Sequence, residues 1–113
     1  MLTIQIINFN LEGINEQEYS NTCDKLADSF AAIPGLITKF WLTDVNNNCF
    51  GGVYIWENRE AMENFTRTDL FNSVATHPNL VNISSKEFDI LPGPTKVTRG
   101  YDLIESVIHS KAV

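Results

Sequence analysis

Apolar residues recur along this chain with two different periods, and the switches between them mark its elements. Leu2 to Phe9 is apolar and β-branched, and short enough to be a strand. A helix start signal follows: Asn15 can cap, Glu18 stands three residues later, and Ile14 can staple onto Tyr19. Tyr19, Cys23, Leu26, Ala27 and Phe30 then recur at helical spacing, with Glu16, Asp24, Lys25 and Asp28 turned outward. Pro34-Gly35 ends this helix, because proline disfavours helical geometry in the residue before it. Leu36 to Val45 and Phe50 to Glu57 read as the second and third strands. Between them Asn46-Asn47-Asn48 is turn chemistry, since Asn tolerates positive φ. Asn58 can cap a second helix through Ala61, Met62 and Phe65, with a short continuation through Leu70, Phe71 and Val74 that stops near Pro78. Leu80 to Ile90 supplies a last strand, and Leu91-Pro92-Gly93-Pro94 reads as a break.

The order β-α-β-β-α-β predicts a ferredoxin-like α+β domain over residues 1–100, a four-stranded antiparallel sheet with two helices on one face. Residues 101–113 form a C-terminal extension, in which Tyr101, Ile104, Val107 and Ile108 have the spacing of a short helix. The middle strands are apolar on both faces. Leu36, Phe40 and Leu42 alternate with Ile37, Trp41 and Val45, and Val53 and Ile55 alternate with Tyr54 and Trp56. One set meets the helices and the other needs a second cover. A partner's sheet is the simplest cover, which predicts a homodimer through the sheet face.

At 113 residues the chain holds one core, and its hydrophobic share of 43% is that of a globular domain. A net charge of −6 with only eight basic residues argues against nucleic acid, which needs clustered Lys and Arg. No apolar run approaches the ~20 residues of a membrane span, and the N-terminus lacks the pattern of a secretory leader. Cys23 and Cys49 are too few for a disulfide scaffold and read as reduced thiols, so cytoplasm is the expected compartment.

Three stretches carry a resemblance. Pro34-Gly35-Leu36-Ile37-x-Lys39-x-Trp41, then Gly51-Gly52-Val53-Tyr54-x-Trp56, then Glu60-Ala61 and Phe65, are similar to the YdhR-type monooxygenases of the antibiotic-biosynthesis-monooxygenase-like group. Pro94-Thr95-x-Val97-Thr98-Arg99-Gly100 fits the way such chains end. The resemblance implies a dimeric α+β barrel with a pocket in each subunit between sheet and helices. It also implies oxygenation of a small aromatic or quinol-like substrate without flavin, haem or metal. It supplies no catalytic set to carry over. The alternative is a non-catalytic homodimer whose pocket holds a small hydrophobic or aromatic ligand, and a third is a pocket filled by the chain's own side chains.

Cofactor-free oxygenation requires a dry pocket that orients an electron-rich substrate and helps remove a proton. Trp41, Tyr54, Trp56 and Phe65 offer aromatic surface, and Asn8 could hold a substrate oxygen. The catalytic candidates are Tyr54, through its hydroxyl, Lys39, which could stabilise a phenolate or peroxide anion, and His77 as a general base. Each also has a structural explanation: strand aromatics populate cores and interfaces, Lys39 can snorkel, Asn8 can satisfy backbone, and His77 sits where a helix C-terminus favours a cation. No metal site is expected, since neither His-x-x-x-His nor Cys-x-x-Cys occurs. The stretch from Trp56 to His77 is similar to the second helix of haem-degrading relatives, with Ala61, Asp69 and Phe71 in matching places. Their axial histidine falls on Ala75 and their pocket tryptophan on Phe65, so haem is not expected.

Overall fold

Side-chain caps set where the first three helices begin. Asn15 Oδ1 accepts from the backbone N–H of Glu18 at 2.8 Å, and Asn58 Oδ1 does the same for Ala61 at 2.8 Å. Thr68 adds a third cap, its hydroxyl accepting from Phe71 N at 3.2 Å, and this divides the expected second helix in two. The computed structural model describes residues 2–102, 104, 105 and 107. Its elements are β1 (Thr3–Leu11), α1 (Glu16–Ala31), β2 (Leu36–Asp44), β3 (Cys49–Trp56), α2 (Arg59–Phe65), α3 (Asp69–Ala75), β4 (Leu80–Asp89) and α4 (Pro92–Val97).

The four strands form one antiparallel sheet in the order β2-β3-β1-β4, the arrangement of a ferredoxin-like α+β fold. Alternation along β1 buries Thr3, Gln5, Ile7 and Phe9 on the helix-covered face. Phe50, Tyr54 and Trp56 of β3 join them in the core with Phe30, Met62 and Phe65. The opposite face carries Ile4 and Ile6 of β1 and their cross-strand partners Ile55 and Val53. Phe40 lies opposite Val53, and Phe88 lies opposite Ile4. Phe40 is 49% exposed and Phe88 48%. This face is apolar at its centre and becomes polar toward Asn8, Asn10 and Asn82, where Asn82 Nδ2 donates to Asn10 Oδ1 at 2.9 Å.

Two expectations change. The pairing of β2 with β3 shifts between Leu36 and Thr38, so the parity read from the sequence breaks there. Leu36 and Ile37 are both buried, and Leu36 does not share a face with Phe40 and Leu42. The Pro-Gly-Pro stretch after β4 begins α4 rather than interrupting structure, because proline at the first helical positions lacks only an N–H that has no partner there. Beyond α4, positions 100–102, 104, 105 and 107 are helical and Ile104 is buried, while Ile108 lies outside the described residues.

Candidate functional site

α1 presents a stripe of Tyr19, Cys23, Leu26 and Phe30 toward the sheet, yet only Phe30 of this helix is buried. The other three look into a cavity of about 250 Å³. α1 is its roof, the floor is Phe9, Lys39, Trp41, Gly51 and Tyr54 of the sheet, and the far end is closed by Val74, His77, Asn79 and Leu80.

Backbone geometry makes room for this floor. Gly51 has φ +147°, and a Cβ there would overlap the Ile7 carbonyl oxygen. A Cβ on Gly52 would approach Lys39 Cε to 2.7 Å and Tyr54 Cε1 to 3.2 Å, so the missing side chain is what lets Lys39 lie across the strand. Because of the register after the irregularity, Lys39 faces Tyr54 and Trp41 faces Gly52 on the helix-covered side.

Lys39 Nζ is held by ring faces. It stands 3.3 Å from the Trp41 ring centroid, 3.6 Å from Phe30 and 4.6 Å from Tyr54. It has no hydrogen bond or ion pair to any described residue. Burial pulls its pKa down to about 7, with the nearby Cys23 acting in the opposite direction. A lysine near neutrality can take a proton as the amine and hold an anion as the ammonium.

Tyr54 is 3% exposed, and its hydroxyl likewise lacks a hydrogen-bond partner among the described residues although its side chain lines the cavity. Burial pushes its ionisation well above the ordinary range, so it stays a neutral donor. Tyr19 is raised too, by burial first and then by its hydrogen bond to the Cys23 thiol. The Cys23 thiol is raised by burial, against a lowering contribution from the Tyr19 hydrogen bond and from Lys39. An amine, two phenols and a thiol therefore meet in one largely apolar chamber. Tyr19 and Cys23 read as core positions from spacing alone; polar atoms set within an apolar helical stripe were the signal available.

The predicted site residues divide. Lys39, Trp41, Tyr54 and His77 all line the cavity. Trp56 and Phe65 do not: Trp56 is 0% exposed, and its Nε1–H donates to the buried Gln5 Oε1 at 3.1 Å. Phe65 packs at 5.3 Å from the Trp56 ring and 5.6 Å from Tyr54, behind the wall rather than in it. Asn8 is on the opposite sheet face by alternation, and its Nδ2 donates to the Phe50 carbonyl at 3.3 Å. His77 follows α3 and accepts at Nδ1 from Asn79 N–H at 3.1 Å, which places the ring proton of the neutral form on Nε2.

Solved structures of other proteins share this fold. SnoaB, a cofactor-independent oxygenase from Streptomyces nogalater, matches at a TM-score of 0.63 and 18% identity, over 80% of this chain and 97% of that one. MhuD, a heme-degrader from Mycobacterium tuberculosis with two hemes bound in its active site, matches at 0.64 and 19%, over 79% and 95%. A conserved protein from Methanosarcina mazei matches at 0.62 and 18%, over 78% and 92%. At these identities the likeness establishes the fold. No curated protein sequence matches the chain at a significant level. Residues 4–101 match the family described as "Putative mono-oxygenase ydhR", and the chain belongs to that family.

Proposed function

We propose that this chain is a cofactor-independent monooxygenase acting on a small aromatic or quinol-like substrate bound between α1 and the sheet. The observation that carries the reading is Lys39: an amine pulled down to about 7, caged by three aromatic rings, beside an unpartnered phenol in an apolar chamber. A cavity of ~150 Å³ suffices for benzene. At about 250 Å³ this one has room for a larger ring system.

The chemistry follows from these groups. The ring faces stack the substrate, and the Tyr54 hydroxyl donates to its oxygen. Neutral Lys39 removes a proton from a ring carbon activated by that oxygen, leaving a delocalised anion. The anion gives an electron to dioxygen, the two radicals combine at carbon, and the resulting peroxide loses water. One CH₂ and one O₂ become one C=O and one H₂O, so no external reductant is needed. Lys39, now an ammonium, steadies the peroxide anion from among the aromatic rings that surround it. SnoaB, described as a cofactor-independent oxygenase, is built on the same fold, which supports this reading.

Haem chemistry of the MhuD kind fits these residues poorly. A histidine ligating through Nε2 carries its proton on Nδ1, but Nδ1 of His77 already accepts from Asn79 N–H. Ala75 and Phe65 offer no ligand and no open pocket wall.

The half-exposed Phe40 and Phe88, beside Ile4, Ile6, Val53 and Ile55 on the same sheet face, support a homodimer built by packing two such faces together. Cytoplasm remains the proposed compartment, supported by the two free cysteines. No helix among the described residues is long and apolar enough to cross a membrane.

The test is oxygen uptake by chelator-treated protein against a panel of phenolic substrates with an activated ring CH₂. Uptake above the buffer blank, lost in Lys39→Met, is the expected result. Rates no faster than the blank across the panel would overturn the proposal for that class and leave a binding protein.

A further inference from the structure

The cavity contains a nucleophile that proton abstraction does not use. Cys23 is half-buried in the roof and lines the same cavity as Tyr19 and Lys39, whose charge acts on its thiol. A cysteine alone would mean little. Here it shares the chamber with Tyr54, a residue only 3% exposed that lines the cavity and whose hydroxyl has no hydrogen-bond partner among the described residues. Such a donor has the chemistry to hold a carbonyl oxygen.

We propose that Cys23 is a covalent capture site for quinone-type electrophiles, meaning flat ring systems whose carbonyl is conjugated to a C=C bond. The aromatic walls admit the ring and Tyr54 donates to its carbonyl oxygen. The Cys23 sulfur then bonds to the ring carbon β to that carbonyl. Its proton passes to the Lys39 amine, and the C=C electron pair moves onto the carbonyl oxygen, which Tyr54 and the Lys39 ammonium hold. Loss of the ring proton at the new C–S bond and protonation of both oxygens leave a hydroquinone thioether. No atom leaves and no oxidant enters, because the quinone itself is reduced as the bond forms. Burial favours the thiol over the thiolate, so the reaction depends on a base at hand rather than on standing thiolate.

Neither dioxygen nor turnover takes part in this step, so its failure and that of the oxygenase reading are separately visible. The experiment is anaerobic incubation with 1,4-naphthoquinone near neutral pH, followed by intact-protein and peptide mass spectrometry. One quinone per chain, on Cys23, is expected in the wild type and in Cys49→Ser, and none in Cys23→Ser over the same time. Lys39→Met should slow capture by about a hundredfold. Excess naphthalene should slow it by occupying the chamber. Labelling confined to Cys49, an unlabelled wild type, or undiminished labelling in Cys23→Ser would overturn the proposal.

Discussion

Replacing Lys39 by Met removes a charge from a place where burial makes protonation costly. The fall of its pKa from 10.5 to about 7 corresponds to ~5 kcal/mol between the two protonation states. Between those two values the unfolded chain holds a proton that the folded chain does not, so wild-type stability rises with pH across that window. Most of the measurable part lies below the point where Tyr19 and Tyr54, whose folded pKa values are raised, begin to reverse the trend as unfolded tyrosines ionise. From about pH 6 to about pH 9 the Lys39 contribution is ~2–3 kcal/mol. Met keeps the apolar stem and cannot titrate. Lys39→Met is therefore expected to be more stable than wild type by about 2 kcal/mol near pH 6, with the advantage shrinking steadily toward pH 9. Urea unfolding at a series of pH values reads both lines, and their difference cancels every other titrating group. Parallel lines would refute the caged, desolvated lysine.

Tyr54→Phe removes a hydroxyl without a described partner, so stability should change by less than about 0.5 kcal/mol while turnover falls by about a hundredfold or more, read by urea unfolding and oxygen uptake together. Phe65→Ala opens a hole behind the cavity wall and should cost ~3–5 kcal/mol, a large share of a small domain's stability, seen as a lowered urea midpoint. Phe40→Glu places a charge on the apolar part of the sheet face and should convert a species of twice 12.7 kDa into one of 12.7 kDa in sedimentation. If Lys39 acts as the amine, kcat/KM should rise with pH through about 7, and a flat profile would remove it as the base.

Strand and helix periodicities were legible because most side chains follow them: Asn15 and Asn58 cap where their spacing predicts, and the Asn-rich turn places Asn48 at φ +47°. Face assignment was not legible. A single irregularity at the start of β2 decides whether Lys39 and Trp41 look at the helices or away from them, and pairing register is a tertiary property. The same limit applies to Asn8 and Trp56, which are neighbours of the site in sequence terms but lie on the opposite face and in the sealed core. Tyr19 and Cys23 have core spacing, and only the stand-off of α1 from the sheet turns them into cavity walls. The cap at Thr68 was available in the sequence, but its threonine competes with a continuous apolar pattern on either side.

The most direct measurement of the central claim is the fate of labelled dioxygen. With ¹⁸O₂, chelator-treated protein and an anthrone-type phenolic substrate, the product carbonyl should carry one ¹⁸O atom and the other should leave as labelled water, with incorporation lost in Lys39→Met. A product whose new oxygen comes from solvent, or equal incorporation with and without Lys39, would contradict the account.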